Sequence, residues 1–307
     1  MRRTVSEPTL NKAAPHVRTP TQRGFTLVEL IVAITLLGIL AMVTVPLLQL
    51  PMSAYVDATR RATTASEIDA TAAKLRADLG TALPNSIRID PTRRFLEYME
   101  VRAVGRFRNG SDGTPASCPA TCGADVMQFA CSESCFTTLG ALQGSAPVVG
   151  SDYVVINPLG PGIPNGDPYF GGTAFPVGGI KSRLQTVTPT GTGNRITMTA
   201  HAFALAPANK RFYLVSTPVT YECNLATRRL TRRWGYAVSA AQPVAFGGGT
   251  LSAPLALQVQ GCRFDYTATG AAGGVVTVRL QHSGTAAGGA VSEVADSVLE
   301  FGVRETW

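Results

Sequence analysis

Six cysteines are the side chains of this 307-residue chain whose type and spacing could support metal binding or cross-linking. Four of them form two C-x3-C pairs separated by eight residues: Cys118, Cys122, Cys131 and Cys135. Four clustered thiolates can bind zinc, although zinc knuckles favour C-x2-C spacing. An even number of cysteines in an oxidising compartment instead indicates disulfides. The location of this part of the chain therefore decides which chemistry to expect.

The disulfide interpretation predicts specific partners. Cys223 and Cys262 each end or interrupt a predicted strand, and we expect them to bond to each other. For the four clustered cysteines we favour nested pairing among three connectivities: Cys118 with Cys135, and Cys122 with Cys131.

Signals for catalysis are absent from the sequence. His16 lies near the N-terminus, while His201 and His282 lie in strand-like patterns where packing or surface roles are expected. The glycine-rich segments at 178–179 and 247–249 lack a following Lys-Ser or Lys-Thr, so they are not phosphate-binding loops. The sequence predicts neither an enzyme nor a cofactor or metal site.

An arginine cluster is the one feature that resembles a nucleic-acid site. Its four arginines surround Leu230 and precede Trp234: Arg228, Arg229, Arg232 and Arg233. An aromatic side chain beside arginines suits single-stranded nucleic acid. We favour a solvated hairpin instead and expect no nucleic-acid partner.

The longest apolar segment lies near the N-terminus and must span or line a nonpolar environment. Residues 25–50 read FTLVELIVAITLLGILAMVTVPLLQL and contain one charge, Glu29. About 20 apolar residues suffice to cross a bilayer as a helix. A secretory signal peptide would have a shorter apolar core followed by a small-residue cleavage site. A plain anchor does not explain the carboxylate, which costs a few kcal/mol at the bilayer centre and less near its edge.

The net charge of +7 is mainly a topology signal. Residues 1–24 hold five basic residues against Glu7, a net of +4, which leaves +3 for residues 25–307. Basic residues before an apolar span hold that end in the cytoplasm. The remainder of the chain is therefore expected on the opposite side of the membrane.

Residues 23–30, RGFTLVEL, resemble the cleavage and methylation motif of type IV prepilins and type II secretion pseudopilins. Gly38 and Pro46 stand where those helices usually carry Gly and Pro. The resemblance implies that a prepilin peptidase and methyltransferase cuts between Gly24 and Phe25 and methylates the amine of Phe25. A glycine before the cut fits a protease that approaches the backbone closely.

The same resemblance implies a single-pass protein of the bacterial inner membrane, with its head in the periplasm and later in a pilus or pseudopilus. Since the periplasm is oxidising, disulfides are favoured over zinc for all six cysteines. In a filament, Glu29 would need a cationic partner, and the resemblance implies the Phe25 amine of a neighbouring subunit. That pair would set axial register. Pro46 is expected to kink or locally melt the helix.

The N-terminal leader, residues 1–24, is long for such proteins. Residues 1–16 show no periodicity and are predicted to be disordered. Val17 begins VRTPTQRG, a leader of ordinary length, so we expect translation to start there through a valine codon, with Met1 as the alternative.

Residues 25–83 are predicted to form one long helix, with its transmembrane part at about 25–50. An apolar stripe recurs at steps of three and four over Ile68, Ala72, Leu75, Leu79 and Leu83, and should pack on a sheet. Five charged residues are expected off that stripe: Glu67, Asp69, Lys74, Arg76 and Asp78. Gly80 and Pro84 should end the helix.

Residues 84–307 change to period-two alternation and predict a β-rich head. The fold class expected is α+β, a pilin-like ladle in which the helix packs on a mostly antiparallel sheet. Long loops are expected at 108–150 and 157–194. The predicted strands are 87–90, 94–107, 153–157, 195–203, 211–223, 230–238, 255–267, 275–282 and 298–304.

Parts of the head are similar to the MshO-type minor pilin of MSHA pilus systems. The similarity rests on LPNSIR (83–88), FLEYMEVRAVGRFR (95–108), and the pair PVTYEC (218–223) and GCRFDY (261–266). It implies a minor pilin at or near the filament tip that initiates or caps assembly, with other major and minor pilins and the pilus assembly platform as partners. The alternatives are a J-type pseudopilin, which has the same size and layout, and a tip adhesin or DNA-binding subunit.

Overall fold

The structure is a computed structural model that describes residues 24–108, 126–129, 131–269, 273–285 and 291–304. The chain forms two compact units, one that ends at Ala58 and one that runs over Thr59–Trp307. The described residues contain one α-helix followed by thirteen β-strands.

Helix α1 spans Leu27–Gly80, 54 residues. It begins after Thr26, whose Oγ1 accepts a 3.2 Å hydrogen bond from the backbone N–H of Glu29 and so caps the first turn. It ends at Gly80, a poor helix former. The helix continues without a break through position 46, and the kink expected at Pro46 remains a prediction.

The larger sheet contains ten strands. Their bounds are β1 (Arg88–Ile89), β2 (Phe95–Arg106), β3 (Ser132–Thr137), β4 (Gln143–Gly144), β5 (Tyr153–Val155), β6 (Lys181–Thr190), β7 (Gly193–Ala202), β8 (Arg211–Asn224), β9 (Arg229–Trp234) and β10 (Leu251–Leu257). The main path runs β1-β2-β8-β5-β6-β7-β3, while β4 pairs with β2 and β9 lies between β8 and β10.

A second sheet has three strands in sequential order: β11 (Val259–Ala268), β12 (Gly273–Thr285) and β13 (Val291–Arg304). Every strand pair in both sheets is antiparallel. On β12 every second side chain is buried, including Val276, Val278 and Leu280, which is the alternation expected of a sheet with one face in the core.

The last turns of α1 share one apolar core with both sheets. Leu75 and Leu79 pack in a cluster that contains Tyr221 of β8 as well as Val278 and Phe301 of the smaller sheet. A disulfide between Cys223 of β8 and Cys262 of β11, with Cα atoms 6.2 Å apart, also joins the two sheets. The predicted α+β class, an apolar N-terminal helix followed by a mostly antiparallel head, is confirmed.

The prediction of long loops at 108–150 and 157–194 was wrong in part. Strands β3 and β4 lie in the first segment and β6 lies in the second. The β6 sequence, KSRLQTVTPT, has few apolar residues and a proline, so its alternation is weak. It is a strand because β5 and β7 pair with its two halves.

The expected single strand at 255–267 is two strands, β10 and β11. They separate at Gln258, whose φ of 57° lies in the left-handed region and turns the chain. After that turn the two segments pair with different neighbours, β10 with β9 and β11 with β12. Similarly, β9 ends at Trp234 rather than at residue 238, because Gly235 adopts a φ of 77°.

Candidate functional site

The motif residues lie at the start of α1 and are accessible. Gly24 and Phe25 precede the helix in non-helical backbone, and the Phe25 side chain is 80% exposed. An added Cβ at Gly24 would meet no atom within 4 Å. The peptide bond between these residues is therefore open to an enzyme within the part of the chain that the structure describes.

The first turns of α1 form the one membrane-span candidate among the described residues. Leu27–Thr44 has a mean hydropathy of 2.5, and none of it is buried within the chain. At 1.5 Å per residue these residues extend about 27 Å, close to the thickness of a bilayer core. An apolar helix with no covering inside its own chain requires lipid or other helices around it.

Glu29 lies in the first turn of α1 and is exposed. A carboxylate is favoured there by the partial positive charge of the helix N-terminus. No described cation forms an ion pair with it. Its side chain can therefore accept a charged partner from outside the chain.

No described residue explains Gly38 by packing, since an added Cβ would meet no described atom within 4 Å. Glycine inside a helix costs about 1 kcal/mol relative to alanine in water. In membranes, small residues allow two helices to approach closely. This position therefore suits contact with another helix.

A buried ionic cluster fixes the end of α1 in the head. Asp78 accepts hydrogen bonds from Lys74 Nζ and Arg232 Nε, both at 2.7 Å, and from the Tyr221 hydroxyl. Burial alone would raise the pKa of Asp78, but hydrogen bonds from Lys74 and Tyr221, together with the charge of Arg232, lower it below its ordinary value. The carboxylate is thus ionised and ties α1 to β8 and β9.

The expectation that Asp78 lies off the apolar stripe is wrong. Asp78 is only 5% exposed. Positions 75, 78, 79 and 82 follow helical i, i+3, i+4, i+7 spacing and share one face. The spacing is therefore present in the sequence, but the partners that allow the carboxylate to be buried lie in distant strands.

A second buried carboxylate organises the loop after β9. Glu97 of β2 is fully buried, and it accepts hydrogen bonds from Arg88 Nε at 2.5 Å and from the Tyr236 hydroxyl at 2.9 Å. Burial raises the pKa of Glu97 in spite of the opposing effect of Arg88. Arg88 also lies 3.6 Å from the centre of the Tyr169 ring and donates to the carbonyl oxygen of Ser239. These contacts serve the architecture of the head.

The cysteines are oxidised wherever the structure describes them. Cys223 and Cys262 bond to each other, the pair that the sequence analysis favours. Cys131 and Cys135 are also disulfide-bonded. Cys118 and Cys122 lie outside the described residues, so the nested pairing remains a prediction. Among the described residues no group of three or more His, Cys, Asp or Glu could hold a metal ion.

Both described histidines are buried within strands. His201 Nε2 donates to the carbonyl oxygen of Gly179 at 2.7 Å. Neither ring nitrogen of His282 has a hydrogen-bond partner among the described residues, and burial lowers the pKa of this imidazole although Glu67 opposes the shift.

The arginine cluster is not an open basic patch. Arg232 pairs with Asp78, and Arg233 Nε donates to Glu222. Only Arg228 and Arg229 are exposed. The expected solvated hairpin is therefore wrong for the two arginines that point to acidic partners, because β9 pairs with β8 and places them beside buried carboxylates.

Comparison with known proteins finds one local match. Residues 19–45 match the family model described as the prokaryotic N-terminal methylation motif. No curated protein and no solved structure matches the chain. The matched residues cover the exposed Gly24–Phe25 bond, Glu29 and the apolar part of α1, and they support a type IV pilin-like or pseudopilin subunit.

Proposed function

We propose that this chain is a minor type IV pilin-like subunit that a prepilin peptidase processes and that assembles into a filament through its N-terminal helix. The observation that carries the proposal is the methylation-motif match at residues 19–45 on an apolar helix with no intramolecular covering. A helix of this kind is stable only in a membrane or among other helices, and a pilin subunit passes from one to the other. Its role is structural rather than enzymatic.

Processing is the first step of the proposed function. The peptidase cuts between Gly24 and Phe25 and methylates the new amine of Phe25. Support comes from the accessible, non-helical backbone at both residues. The mature chain then begins two residues before α1, with Glu29 in the first turn.

Glu29 sets the axial position of each incoming subunit in the proposed filament. Its carboxylate has no cation within the described chain, and the Phe25 amine of a neighbour would supply one. Burial of both charges among apolar helices makes an unpaired arrangement costly. Gly38, whose Cβ position is open, allows the helices to approach.

The minor role and the position near the tip rest on the head. Without the 24-residue leader the mature chain would have 283 residues, and major pilins of the family that the methylation motif indicates are usually far shorter. A repeated subunit must fit identical neighbours above and below it, whereas a tip subunit is constrained on one side. We therefore assign the chain to the initiating or capping end of an MSHA-type pilus.

A J-type pseudopilin of a type II secretion system is the second candidate, because the same motif serves both classes. Assembly partners distinguish them: a pilus system supplies a major pilin, and a secretion system supplies a pseudopilus and a secreted cargo. The DNA-binding alternative loses support, since Arg232 and Arg233 are engaged with carboxylates.

Mass spectrometry of the N-terminal peptide tests the proposal. Protein extracted from membranes should begin with N-methylated Phe25. A Gly24→Val variant should keep its leader, since a branched side chain blocks close approach to the bond, while Gly38→Val should be processed normally. An unprocessed wild-type chain, or a different first residue, contradicts the proposal.

A further inference from the structure

Strand β13 forms a long edge of the three-stranded sheet. It pairs with β12, and its register is continuous from Glu293 to Arg304. Within the residues that the structure describes, no segment pairs with its other side. Along an antiparallel edge, alternate N–H and C=O groups point outward and are available to another strand.

Three other described edge strands, β1, β10 and β11, are protected in known ways. Strand β1 has only two residues, and β10 contains Pro254 next to a register shift. On the far side of the smaller sheet, the N–H of Phe264 in β11 donates to the carbonyl oxygen of Arg93 at 2.9 Å. Strand β13 has no proline, and its only register shift lies before Glu293. Of the usual edge protections β13 has only charged side chains, so a strand that pairs with this edge must neutralise them.

The outer face of β13 has a regular chemical pattern. Its exposed side chains alternate between valine and a carboxylate: Val294, Asp296, Val298 and Glu300. The residues directly opposite the carboxylates on β12 are neutral, Gln281 beside Asp296 and Thr277 beside Glu300, while Arg279 lies between them opposite Val298. Neither carboxylate forms an ion pair among the described residues. Both charges are therefore available to a strand added beside β13.

We propose that β13 is a docking edge for a strand of another protein that alternates small apolar and basic side chains. Main-chain hydrogen bonds to the free edge would hold the added strand, and its side chains would meet those of β13 in cross-strand pairs. Basic residues would lie beside Asp296 and Glu300, and apolar residues beside the two valines.

The charge pattern selects this occupant over two others. A second copy would bring its own carboxylates next to Asp296 and Glu300. In an antiparallel pairing centred on Val298, Asp296 lies opposite Glu300, and in a pairing whose centre is shifted by one residue the carboxylates are diagonal neighbours, so like charges disfavour both arrangements. The chain's own segment 109–125 contains no Lys or Arg. A basic strand from a different protein would form main-chain hydrogen bonds with the edge of β13 and would place a cation beside each carboxylate.

Two labelled peptides of equal length test the proposal, one alternating lysine and valine and the other alternating glutamate and valine. Binding to the full chain in lipid nanodiscs is measured by fluorescence anisotropy at low and high salt. The lysine peptide should bind saturably and more weakly at high salt, since exposed charges are screened. The glutamate peptide should not bind.

Charge variants identify the edge. Glu300→Lys should weaken the lysine peptide about threefold, and Asp296→Lys with Glu300→Lys about tenfold or more, with a gain for the glutamate peptide. Asp69→Lys, an exposed carboxylate on α1, is the matched control and should leave binding unchanged. Equal effects of Glu300→Lys and Asp69→Lys would overturn the proposal.

Hydrogen exchange separates strand pairing from loose ionic contact. Peptide binding should slow exchange at alternate amides of residues 294–302, which face the free side. Binding without this protection would overturn the docking edge, as would absence of lysine-peptide binding. Self-association of the chain that Val298→Lys abolishes would assign the edge to a second copy instead.

Discussion

At the residue scale, two groups show how position determines the role of a titratable side chain. Glu29 is exposed in the first turn of α1, where no described cation pairs with it, so its proposed role in assembly depends on a partner outside the chain. His282 is buried in β12 with both ring nitrogens unpartnered, so its role depends on remaining neutral. Each leads to a separate prediction.

Glu29→Ala should insert normally into the membrane but assemble poorly. Removing the charge makes the span more apolar. Loss of one partner of a buried ion pair costs about 3 kcal/mol, so filament output should fall by more than about tenfold. Membrane fractionation and the yield of sheared filaments measure the two steps.

Asp69→Ala removes an exposed carboxylate outside the apolar segment and serves as the control. It should leave both steps unchanged. Wild-type filament output from Glu29→Ala would remove the proposed register role while leaving the processing proposal intact.

Acidification should destabilise the head partly through His282. Burial lowers its pKa in the folded chain, so the unfolded chain binds more protons below the ordinary value of about 6.5. The free energy of unfolding from this group should therefore be constant above that pH and fall by up to about 1 kcal/mol per pH unit below it. Denaturant titrations at pH 7.5, 6.5 and 5.5 measure the slope.

His282→Leu should show a smaller loss of stability over the same pH range. His201, whose pKa burial also lowers, and carboxyls with raised pKa such as Glu97 are present in both proteins and cancel in the comparison. Identical slopes for the wild type and the variant would show that His282 does not contribute.

At the element scale, α1 belongs to two environments. Its apolar first part has no covering within the chain, whereas its last turns are held by apolar packing and by the Asp78 cluster with Lys74, Tyr221 and Arg232. The Cys223–Cys262 disulfide links the two sheets that share this core. Apolar packing and the ionic cluster therefore attach the last turns of α1 to the strands of the head.

Asp78→Ala should therefore destabilise the head strongly. It leaves Arg232, whose side chain is 15% exposed, without its closest anion, and breaking a buried pair costs about 3–5 kcal/mol. Tyr221→Phe removes one hydrogen bond and should cost about 1 kcal/mol. Denaturant unfolding followed by the fluorescence of Trp234, which packs against Arg232, gives both values.

Asp69→Ala on the same helix should change stability by less than about 0.5 kcal/mol, as exposed substitutions usually do. If Asp78→Ala were no more destabilising than Asp69→Ala, the cluster would not be the attachment between α1 and β8–β9.

At the scale of the whole molecule, the described part of the head contains two sheets and a long edge of β13 that no other described strand pairs with. A subunit of this size is proposed for a filament end rather than for repeated use along it. Quantitative proteomics of sheared filaments should find this chain at a small fraction of the main pilin, at most about one copy in a hundred if it occupies only an end. Abundance equal to that of the main pilin would overturn the minor role but not the processing proposal.

The sequence alone was sufficient to predict the features that depend on a few neighbouring residues. Residues 23–30 carry the processing motif, the apolar run identifies the first part of α1, and period-two alternation identifies β2, β7, β8 and β12. Helical and strand periods act over a few neighbouring residues, so they can be read without knowledge of the rest of the chain.

Only the tertiary structure determined the features that depend on residues far apart in the sequence. Asp78 meets Tyr221 and Arg232 across 143 and 154 residues of sequence, and no local pattern encodes that encounter. Strand β6, with its weak alternation, forms because β5 and β7 supply its partners. The free edge of β13 likewise depends on which strands pair elsewhere, since strand order is a property of the folded sheet rather than of any one segment.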